Sequence, residues 1–203
     1  MSNKGILIVV SGPSGSGKGT LLQGLMQGNE RIKYSVSATT RSPREGEVNG
    51  KNYFFVTREE FQQQIQSGGM LEFATYCGNY YGTPRRYVYD NLEAGYDVIL
   101  EIDVAGATKL MEQGEPAVYI FIMPPSMQEL KKRLVGRNTE TNEVIEKRLN
   151  AAREEIAAAG RYNYIVVNDV IDDAIDKLKA IILCQKCKTV NMKYMIKEVL
   201  TDA

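Results

Sequence analysis

The hydrophobic residues of this chain follow two different spacings, and their alternation predicts an α/β fold. Short runs that are apolar almost throughout, as in strands buried on both faces, cover residues 6–10, 98–102, 118–123 and 164–167. Between these runs, apolar residues recur every three or four positions and predict helices over residues 18–28, 84–94, 105–113, 126–136, 142–160 and 172–187. Strands that alternate with helices indicate a largely parallel sheet covered by helices.

The stretch from residue 34 to residue 83 interrupts this alternation. It is polar and tyrosine-rich, with short β patterns at residues 53–56 and 71–74. A helix between them begins with a capping box, in which Thr57 and Glu60 would each accept a hydrogen bond from the other's backbone N–H. The stretch inserts on the carboxyl side of the sheet, where open α/β sheets bind ligands, so we predict that it is a substrate module.

A second interruption, residues 133–148, is charged and contains several arginines. The helix that leads into it begins at Ser126 with another capping-box pattern. This stretch also inserts on the carboxyl side of the sheet, and we predict that it forms a lid. The predicted layout is a single domain, residues 1–203, with a core at 1–33, 84–125 and 162–203, the module at 34–83 and the lid at 126–161.

The charge balance argues against some classes of partner. The 203 residues include 25 Lys and Arg and 25 Asp and Glu, so the formal net charge is zero, unlike that of a general nucleic-acid or membrane-surface binder. No apolar stretch approaches the length of a membrane span. Residues 1–4 run straight into the first strand and leave no room for a signal peptide, so we expect a cytoplasmic location.

The inventory of reactive side chains limits the chemistry further. The chain contains no histidine, which removes Ser–His and Cys–His catalysis and any histidine base or metal ligand. The three cysteines, Cys77, Cys184 and Cys187, are a sparse set typical of a reducing compartment. Cys184 and Cys187 form a C-x-x-C without a second pair, and incidental thiols are favoured there over a redox or zinc role.

The segment between the first strand and the first helix carries the strongest chemical signal. It reads G-x-x-x-x-G-K, and its glycines allow several backbone N–H groups to point at one anion. The helix N-terminus and the ammonium of Lys18 add positive charge. We therefore expect a nucleoside triphosphate to bind at Gly12, Pro13, Ser14, Gly15, Ser16, Gly17 and Lys18. Gly19 stands where Ser or Thr usually binds magnesium, so either the hydroxyl of Thr20 or water is expected to serve.

Two arginines indicate a second phosphate site. Arg41 and Arg44 lie near Pro43 and Gly46 in irregular backbone, and two arginines so placed can clamp a phosphate. The hydroxyls of Tyr53 and Tyr81 can donate to the same phosphate. Solvated surface arginines and half-buried tyrosines remain the alternative interpretation.

An acidic pair follows the second core strand. Asp103 stands at the strand end, a position that suits the magnesium shell, and a helix N-cap is an alternative role that is compatible with the first. Glu101 lies two residues earlier, on the same side of the strand, and is predicted to face the site as well.

Taken in order, these motifs resemble the guanylate kinase family. The chain carries S-x-S-x-T-T-R-x-P-R-x-G-E-x-x-G-x-x-Y, then L-E-F-A, N-Y-Y-G-T and V-V-N-D, over nearly its full length. The resemblance implies a P-loop kinase fold with a central parallel five-stranded sheet flanked by helices, a small mixed β module that binds GMP, and a helical lid. It implies transfer of a phosphoryl group from ATP to GMP in purine metabolism. Mg²⁺ would accompany ATP, with no tightly bound organic cofactor, no nucleic-acid or membrane partner, and either a monomer or a homodimer.

The resemblance also assigns roles to individual residues. The carboxylate of Glu72 would accept from the N1 and N2 groups of guanine, although a solvent-facing strand residue is the alternative there. The GMP site would comprise Ser37, Arg41, Arg44, Tyr53, Glu72, Tyr81, Gly82, Thr83, Glu101 and Asp103. The ATP site would add Gly19, Thr20, Arg133, Arg137 and Asn168 to the glycine-rich loop. Magnesium would be bound by Thr20 and Asp103, partly through water, and the catalytic residues would be Lys18, Arg41, Arg137 and Arg148.

The lack of histidine is consistent with this reaction. A GMP phosphate has a second pKa of roughly 6, so it is mostly dianionic at neutral pH and needs no general base. The other class of function, a guanylate-kinase-like interaction module without catalysis, usually lacks an intact phosphate loop. Residues 12–18 and the lid arginines are present here, which makes the module the weaker alternative.

Overall fold

The computed structural model describes residues 4–136 and 141–201. Strands and helices alternate along this part of the chain, apart from one β-rich stretch. The elements are β1 (Leu7–Ser11), α1 (Lys18–Met26), β2 (Ile32–Tyr34), β3 (Ala38–Thr39), β4 (Phe54–Phe55), α2 (Arg58–Gln66), β5 (Met70–Tyr76), β6 (Asn79–Pro84), α3 (Arg85–Glu93), β7 (Asp97–Glu101), α4 (Val104–Glu112), β8 (Val118–Met123), α5 (Met127–Val135), α6 (Asn142–Ala157), a 3₁₀ helix (Ala158–Arg161), β9 (Tyr164–Val167), α7 (Ile171–Lys186) and α8 (Thr189–Thr201).

The central sheet of the described residues has five strands in the order β2, β7, β1, β8, β9, and all of its pairs are parallel. This confirms the predicted five-stranded parallel sheet. The bounds of β8 and β9 agree with the prediction, and β1 and β7 each lie one residue away from it. No run predicted β2, because the strand has three residues and only Ile32 is buried.

Helices cover both faces of this sheet. On one face, α1 and α7 pack their apolar residues, including Leu22 and Leu178, against β1 and β8. On the other face, α3 and α4 contribute Val88 and Leu110 to a second core cluster. Because β1, β7 and β8 are covered on both sides, their residues are mostly apolar, and this is the pattern that made these strands recognisable.

The predicted helix ends need two corrections. The first helix ends at Met26 rather than at residue 28, since Gln27 is extended and Gly28 has φ 73°, which ends the helical geometry. The helix predicted to end at residue 160 ends at Ala157 and tightens into the 3₁₀ helix.

The β-rich stretch forms a second, mixed sheet with the order β4, β3, β6, β5. Strands β3 and β4 pair in parallel, and the other pairs are antiparallel. Helix α2 covers the sheet with Phe61, which is fully buried and stacks on Tyr80 at 5.2 Å between ring centroids. The predicted capping box at Thr57 and Glu60 is present with both of its hydrogen bonds.

Helices α5 and α6 form a third unit with a small core of their own. Leu130 and Leu134 of α5 are buried against Ile145 and Leu149 of α6. Ser126 caps α5 by accepting from the backbone N–H of Glu129. The capping-box prediction is wrong in its second half, because the carboxylate of Glu129 accepts from Arg133 instead. None of the helices in residues 4–136 and 141–201 combines the length and the apolarity needed to cross a membrane.

Candidate nucleotide site

The glycine-rich loop joins β1 to α1, at the carboxyl edge of the central sheet. Gly12, Gly15 and Gly17 have φ values of 149°, 88° and 89°, which side-chain-bearing residues rarely adopt. A Cβ at Gly12 would stand 2.2 Å from the carbonyl oxygen of Ile122, and one at Gly17 would stand 2.3 Å from Nδ2 of Asn168. The loop therefore requires glycine both for its backbone conformation and for its contacts with the strand ends.

Lys18 places its ammonium group inside this loop. Its Nζ donates to the carbonyl oxygen of Gly12 at 2.7 Å and to that of Pro13 at 3.3 Å. The same residue begins α1, whose first N–H groups carry the positive end of the helix dipole. Fixed positive charge is thus concentrated where the sequence predicts triphosphate binding.

Asn168 follows β9 and is hydrogen-bonded to the glycine-rich loop. Its side-chain amide donates to the carbonyl oxygen of Ser16 at 2.8 Å, and its backbone carbonyl accepts from Nη2 of Arg133 at 3.1 Å. Oδ1 of Asn168 and Oγ of Ser16 are both buried and have no hydrogen-bond partner among the described residues. Asn168 therefore links the loop, the last core strand and helix α5, and it leaves acceptor capacity for a ligand.

Helix α5 contacts the loop directly. A Cβ at Gly15 would meet methyl groups of Leu134 and Leu130 at 3.0 and 3.1 Å. Arg133 lies on the same helix, where Nε donates to Glu129 at 3.1 Å. This contact places the predicted lid against the predicted phosphate site.

A carboxylate pair lies at the carboxyl end of β7. Asp103 is exposed and caps α4, with Oδ1 accepting from the N–H of Gly106 at 2.6 Å, so the N-cap role is confirmed. Glu101 accepts from the hydroxyl of Tyr34 at 2.9 Å. Burial, followed by the charge of Glu101, raises the pKa of Tyr34, so this phenol stays protonated and continues to donate.

A buried polar pair lies in the second sheet. Oγ1 of Thr83 donates to Oε1 of Glu72 at 2.8 Å, and both residues are buried. Burial raises the pKa of Glu72, and the nearby charge of Asp103 raises it further, while the hydrogen bond from Thr83 lowers it. A Cβ at Gly106 would lie 3.3 Å from Oε2 of Glu72 and 3.2 Å from Oδ1 of Asp103, so the two carboxylates converge above this glycine.

The solvent-facing alternative for Glu72 is wrong, and a register shift explains why. Pairing between β5 and β6 is irregular between Met70 and Phe73. Leu71 and Glu72 are consequently both buried, whereas Phe73 is 37% exposed. Strict alternation would bury Leu71 and Phe73 and expose Glu72, and a bulge breaks that rule. Gly82 lies opposite Phe73, and a Cβ there would stand 2.7 Å from the carbonyl oxygen of Glu72.

Arg41 is held tightly at the other end of the second sheet. Its Nη1 and Nη2 donate to the two oxygens of Glu47, each at 2.9 Å, and its guanidinium carbon lies 5.5 Å from the ring centroid of Tyr53. Tyr53 in turn meets Tyr81 edge-on, with the ring centroids 5.9 Å apart. The side chain of Arg41 is 16% exposed, so it is not a solvated surface arginine, whereas Arg44 is exposed. Ser37, directly before β3, is half-buried.

The comparisons with known proteins agree with this geometry. The family model described as guanylate kinase matches residues 4–185. A curated guanylate kinase of Halalkalibacterium halodurans is 54% identical over 91% of both chains, and one of Desulfitobacterium hafniense is 51% identical over 97% of this chain and 98% of its own. The crystal structure of guanylate kinase from Anaplasma phagocytophilum superposes with a TM-score of 0.69 at 40% identity, over 92% of this chain and 88% of that one. This chain belongs to the guanylate kinase family.

Family membership confirms the fold class and the resemblance predicted from sequence. Two of the arginines expected to act in the lid of a guanylate kinase are described by the structure. Arg133 is hydrogen-bonded to the loop-binding Asn168, and Arg148 is half-buried on α6. Arg137 lies outside the described residues.

Three residues close to the predicted site carried no predicted role. Glu47 was part of the recognised motif, and its spacing of six from Arg41 was the available signal. Tyr34 binds Glu101 across 67 positions, a contact that no local pattern reveals. Burial raises the pKa of Glu155, on α6, and the charge of Lys18 offsets part of the rise. Glu155 is therefore a carboxylate near the loop in addition to Glu101 and Asp103.

Proposed function

We propose that this chain transfers the terminal phosphoryl group of ATP to GMP, forming ADP and GDP, with the loop 12–18 as the ATP site and the module 34–83 as the GMP site. The observation that carries the proposal is the buried Glu72–Thr83 pair, which converges with Asp103 at the edge of the sheet that bears the loop. An enzyme that phosphorylates GMP needs its ATP site and its GMP site in one cleft.

Guanine selection would depend on Glu72. A buried carboxylate accepts from the N1 and N2 donors of guanine, whereas adenine would present an acceptor there and leave Glu72 unpaired. Such a mismatch costs about 10⁴-fold in discrimination. Ser37 would supply a hydroxyl hydrogen for O6. Thr83 has a single hydroxyl hydrogen, which it donates to Glu72 in the free protein and would turn to O6 when guanine binds.

The acceptor phosphate would lie against Arg41, Arg44, Tyr53 and Tyr81. The dianion is itself the nucleophile, so no side chain has to remove a proton. The exposed guanidinium of Arg44 can turn toward the phosphate, while Arg41 is already fixed. Two cations at the acceptor reduce the repulsion that opposes the approach of a second polyanion.

The donor phosphates would bind the loop N–H groups and Lys18, with Asn168 beside the adenine. Arg133, Arg137 and Arg148 would complete the cation set when α5 and α6 close over the nucleotides. Closure would also exclude water, which otherwise competes with GMP for the phosphoryl group.

The oxygen donors on this edge fit the magnesium ion that accompanies ATP. Thr20 is exposed in the first turn of α1, and Asp103 is exposed at the start of α4. Magnesium prefers a few carboxylate or hydroxyl oxygens together with phosphates and water. When bound, the ion neutralises charge on the phosphates. We place the enzyme in the cytoplasm, where its nucleotides are found and where its exposed free cysteines remain reduced.

The test measures ATP-dependent ADP release with GMP, AMP, UMP and CMP as acceptors. We expect turnover with GMP and at least a hundredfold lower efficiency with the other three. Lys18→Ala should lower turnover roughly 100-fold or more while the protein stays folded, because the ammonium stabilises transition-state charge. Binding of GMP without turnover would favour the interaction module, and near-normal turnover in the Lys18→Ala enzyme would remove the loop from the mechanism.

A further inference from the structure

Glu47 shapes the proposed acceptor-phosphate site without belonging to the set of cations and hydroxyls expected to touch the phosphate. Both of its carboxylate oxygens accept from the guanidinium of Arg41, and Oε2 also accepts from the backbone N–H of Arg44 at 2.7 Å. Its own N–H donates to the carbonyl oxygen of Arg44 at 3.0 Å, which closes a turn that contains Gly46 at φ 82°. One carboxylate thus fixes both arginine segments.

The hydrogen bonds from Arg41 to Ser42 and Glu47 determine which edge of the guanidinium can face a phosphate. Nη1 donates to Ser42 and Glu47, and Nη2 donates once to Glu47. Of the five N–H groups of a guanidinium, these three bonds leave one on Nε and one on Nη2, and the side chain of Tyr81 is also hydrogen-bonded to the Arg41 guanidinium. The Nε and Nη2 groups form the edge of the fork that is turned away from Glu47, and a phosphate that binds beside Tyr81 can accept from this edge in bidentate fashion.

The ion pair persists across the physiological range of pH. The hydrogen bond from Arg41, followed by that from the Arg44 backbone, lowers the pKa of Glu47 to about 2. Only 16% of the Arg41 side chain and 19% of the Glu47 side chain are exposed. The rings of Tyr53 and Phe55 pack against the guanidinium at 5.5 and 5.7 Å.

We propose that Glu47 is a positioning residue, which holds Arg41 and the Arg44 backbone so that the edge of the Arg41 guanidinium turned away from Glu47 faces the phosphate of GMP. This inference rests on the proposed function, in which Arg41 binds that phosphate. Glu47 acts through Arg41 and selects for the phosphate rather than for the guanine base.

The experiment compares Glu47→Gln with Glu45→Gln. Glutamine keeps the size of the side chain and can accept from the Arg44 N–H, but it loses the charge that grips the guanidinium. Glu45 is exposed two residues away, so its variant makes the same change in charge without touching Arg41. Calorimetry measures binding of GMP and of guanosine, and kinetics give KM for GMP and for ATP separately.

We expect Glu47→Gln to weaken GMP binding and raise KM for GMP roughly 10- to 100-fold, because a misplaced binding group is costly. Guanosine affinity and KM for ATP should stay unchanged, and Glu45→Gln should match the unsubstituted protein. In an Arg41→Met background, adding Glu47→Gln should cause no further loss.

Three outcomes would overturn parts of this account separately. Equal GMP affinity in Glu47→Gln and the unsubstituted protein, with a loss in Arg41→Met, would refute the role of Glu47 and keep the phosphate site. Parallel loss of guanosine and GMP in Glu47→Gln would make Glu47 a structural residue only. Unchanged GMP affinity in Arg41→Met would refute the phosphate site itself.

Discussion

At the scale of single residues, the proposed site contains polar side chains whose burial lowers the stability of the free protein. Glu72 is the main example, because it is a carboxylate buried in a module whose core is small. Burial raises its pKa, which means that the folded protein disfavours the charged form. One hydrogen bond from Thr83 offsets part of this cost, and the guanine donors would supply the rest.

We therefore expect Glu72→Gln to raise the melting temperature of the free protein at pH 7 while it weakens GMP binding. A carboxyl whose folded pKa is raised loses stability as pH rises from below its unfolded pKa of 4.5 through its folded pKa. The advantage of the glutamine variant should accordingly shrink as the pH falls from the raised folded pKa toward 4.5, and it should reach its minimum at lower pH, where the carboxyl is neutral in both states. Thermal melts of both proteins between pH 4 and pH 8 measure this difference in melting temperature. A Glu72→Gln variant that is less stable than the unsubstituted protein at pH 7 would show that the buried carboxylate does not destabilise the fold.

Two neighbouring glycines of the phosphate loop should respond oppositely to alanine. Gly17→Ala forces a φ of 89° on a residue with a Cβ, and that Cβ would displace the Asn168 amide from Ser16. We expect a loss of about 1–2 kcal/mol in stability and a raised KM for ATP with KM for GMP unchanged. The matched control is Gly19→Ala, where nothing lies within 4 Å of the new Cβ and the helix should gain up to about 1 kcal/mol. Denaturant melts and steady-state kinetics measure both, and equal effects would show that the loop geometry is unimportant.

At the scale of elements, the strands that the sequence predicted are mostly those whose side chains are almost completely buried. Three of the four strands predicted from apolar runs, β1, β7 and β8, are buried almost throughout, and the bounds of all four were predicted to within one residue. Strands β2, β3 and β4 have only two or three residues each, too few to show a period. The bulge in β5 and the long-range hydrogen bond from Tyr34 to Glu101 depend on tertiary contacts, which local patterns do not encode.

Helix α2 offers a test of how an element supports the GMP module. Its capping box satisfies two backbone N–H groups at Thr57 and Glu60, and it places Phe61 in the module core. Thr57→Ala should cost about 1 kcal/mol by removing one cap bond, with little change in either KM, because the cap lies outside the proposed site. Urea denaturation measures the loss. A large rise in KM for GMP would instead mean that the helix start is coupled to the pocket.

At the scale of the whole molecule, the two sheets each have a core cluster of their own, and Leu71 of the second sheet joins them by packing into the cluster of the central sheet. The loop belongs to the central sheet, whereas the proposed GMP residues are built mainly on the second sheet with its own cluster around Phe61. Ligand binding to each unit should therefore be separable in the open protein, since changes at independent sites usually add. Only phosphoryl transfer requires both units together.

Ligand-induced stabilisation of two variants tests this separation. GMP at about 100 times its Kd should stabilise both the unsubstituted protein and Lys18→Ala by about 2.7 kcal/mol, because Lys18 lies in the loop of the other sheet. ATP with magnesium should stabilise Glu72→Gln as it does the unsubstituted protein, although neither variant should turn over normally. If Lys18→Ala lost GMP stabilisation as fully as it lost ATP stabilisation, the two units would have to be ordered together before either ligand could bind. Helices α5 and α6, whose small core packs on Gly15 through Leu130 and Leu134, would then be the unit that couples the two sites.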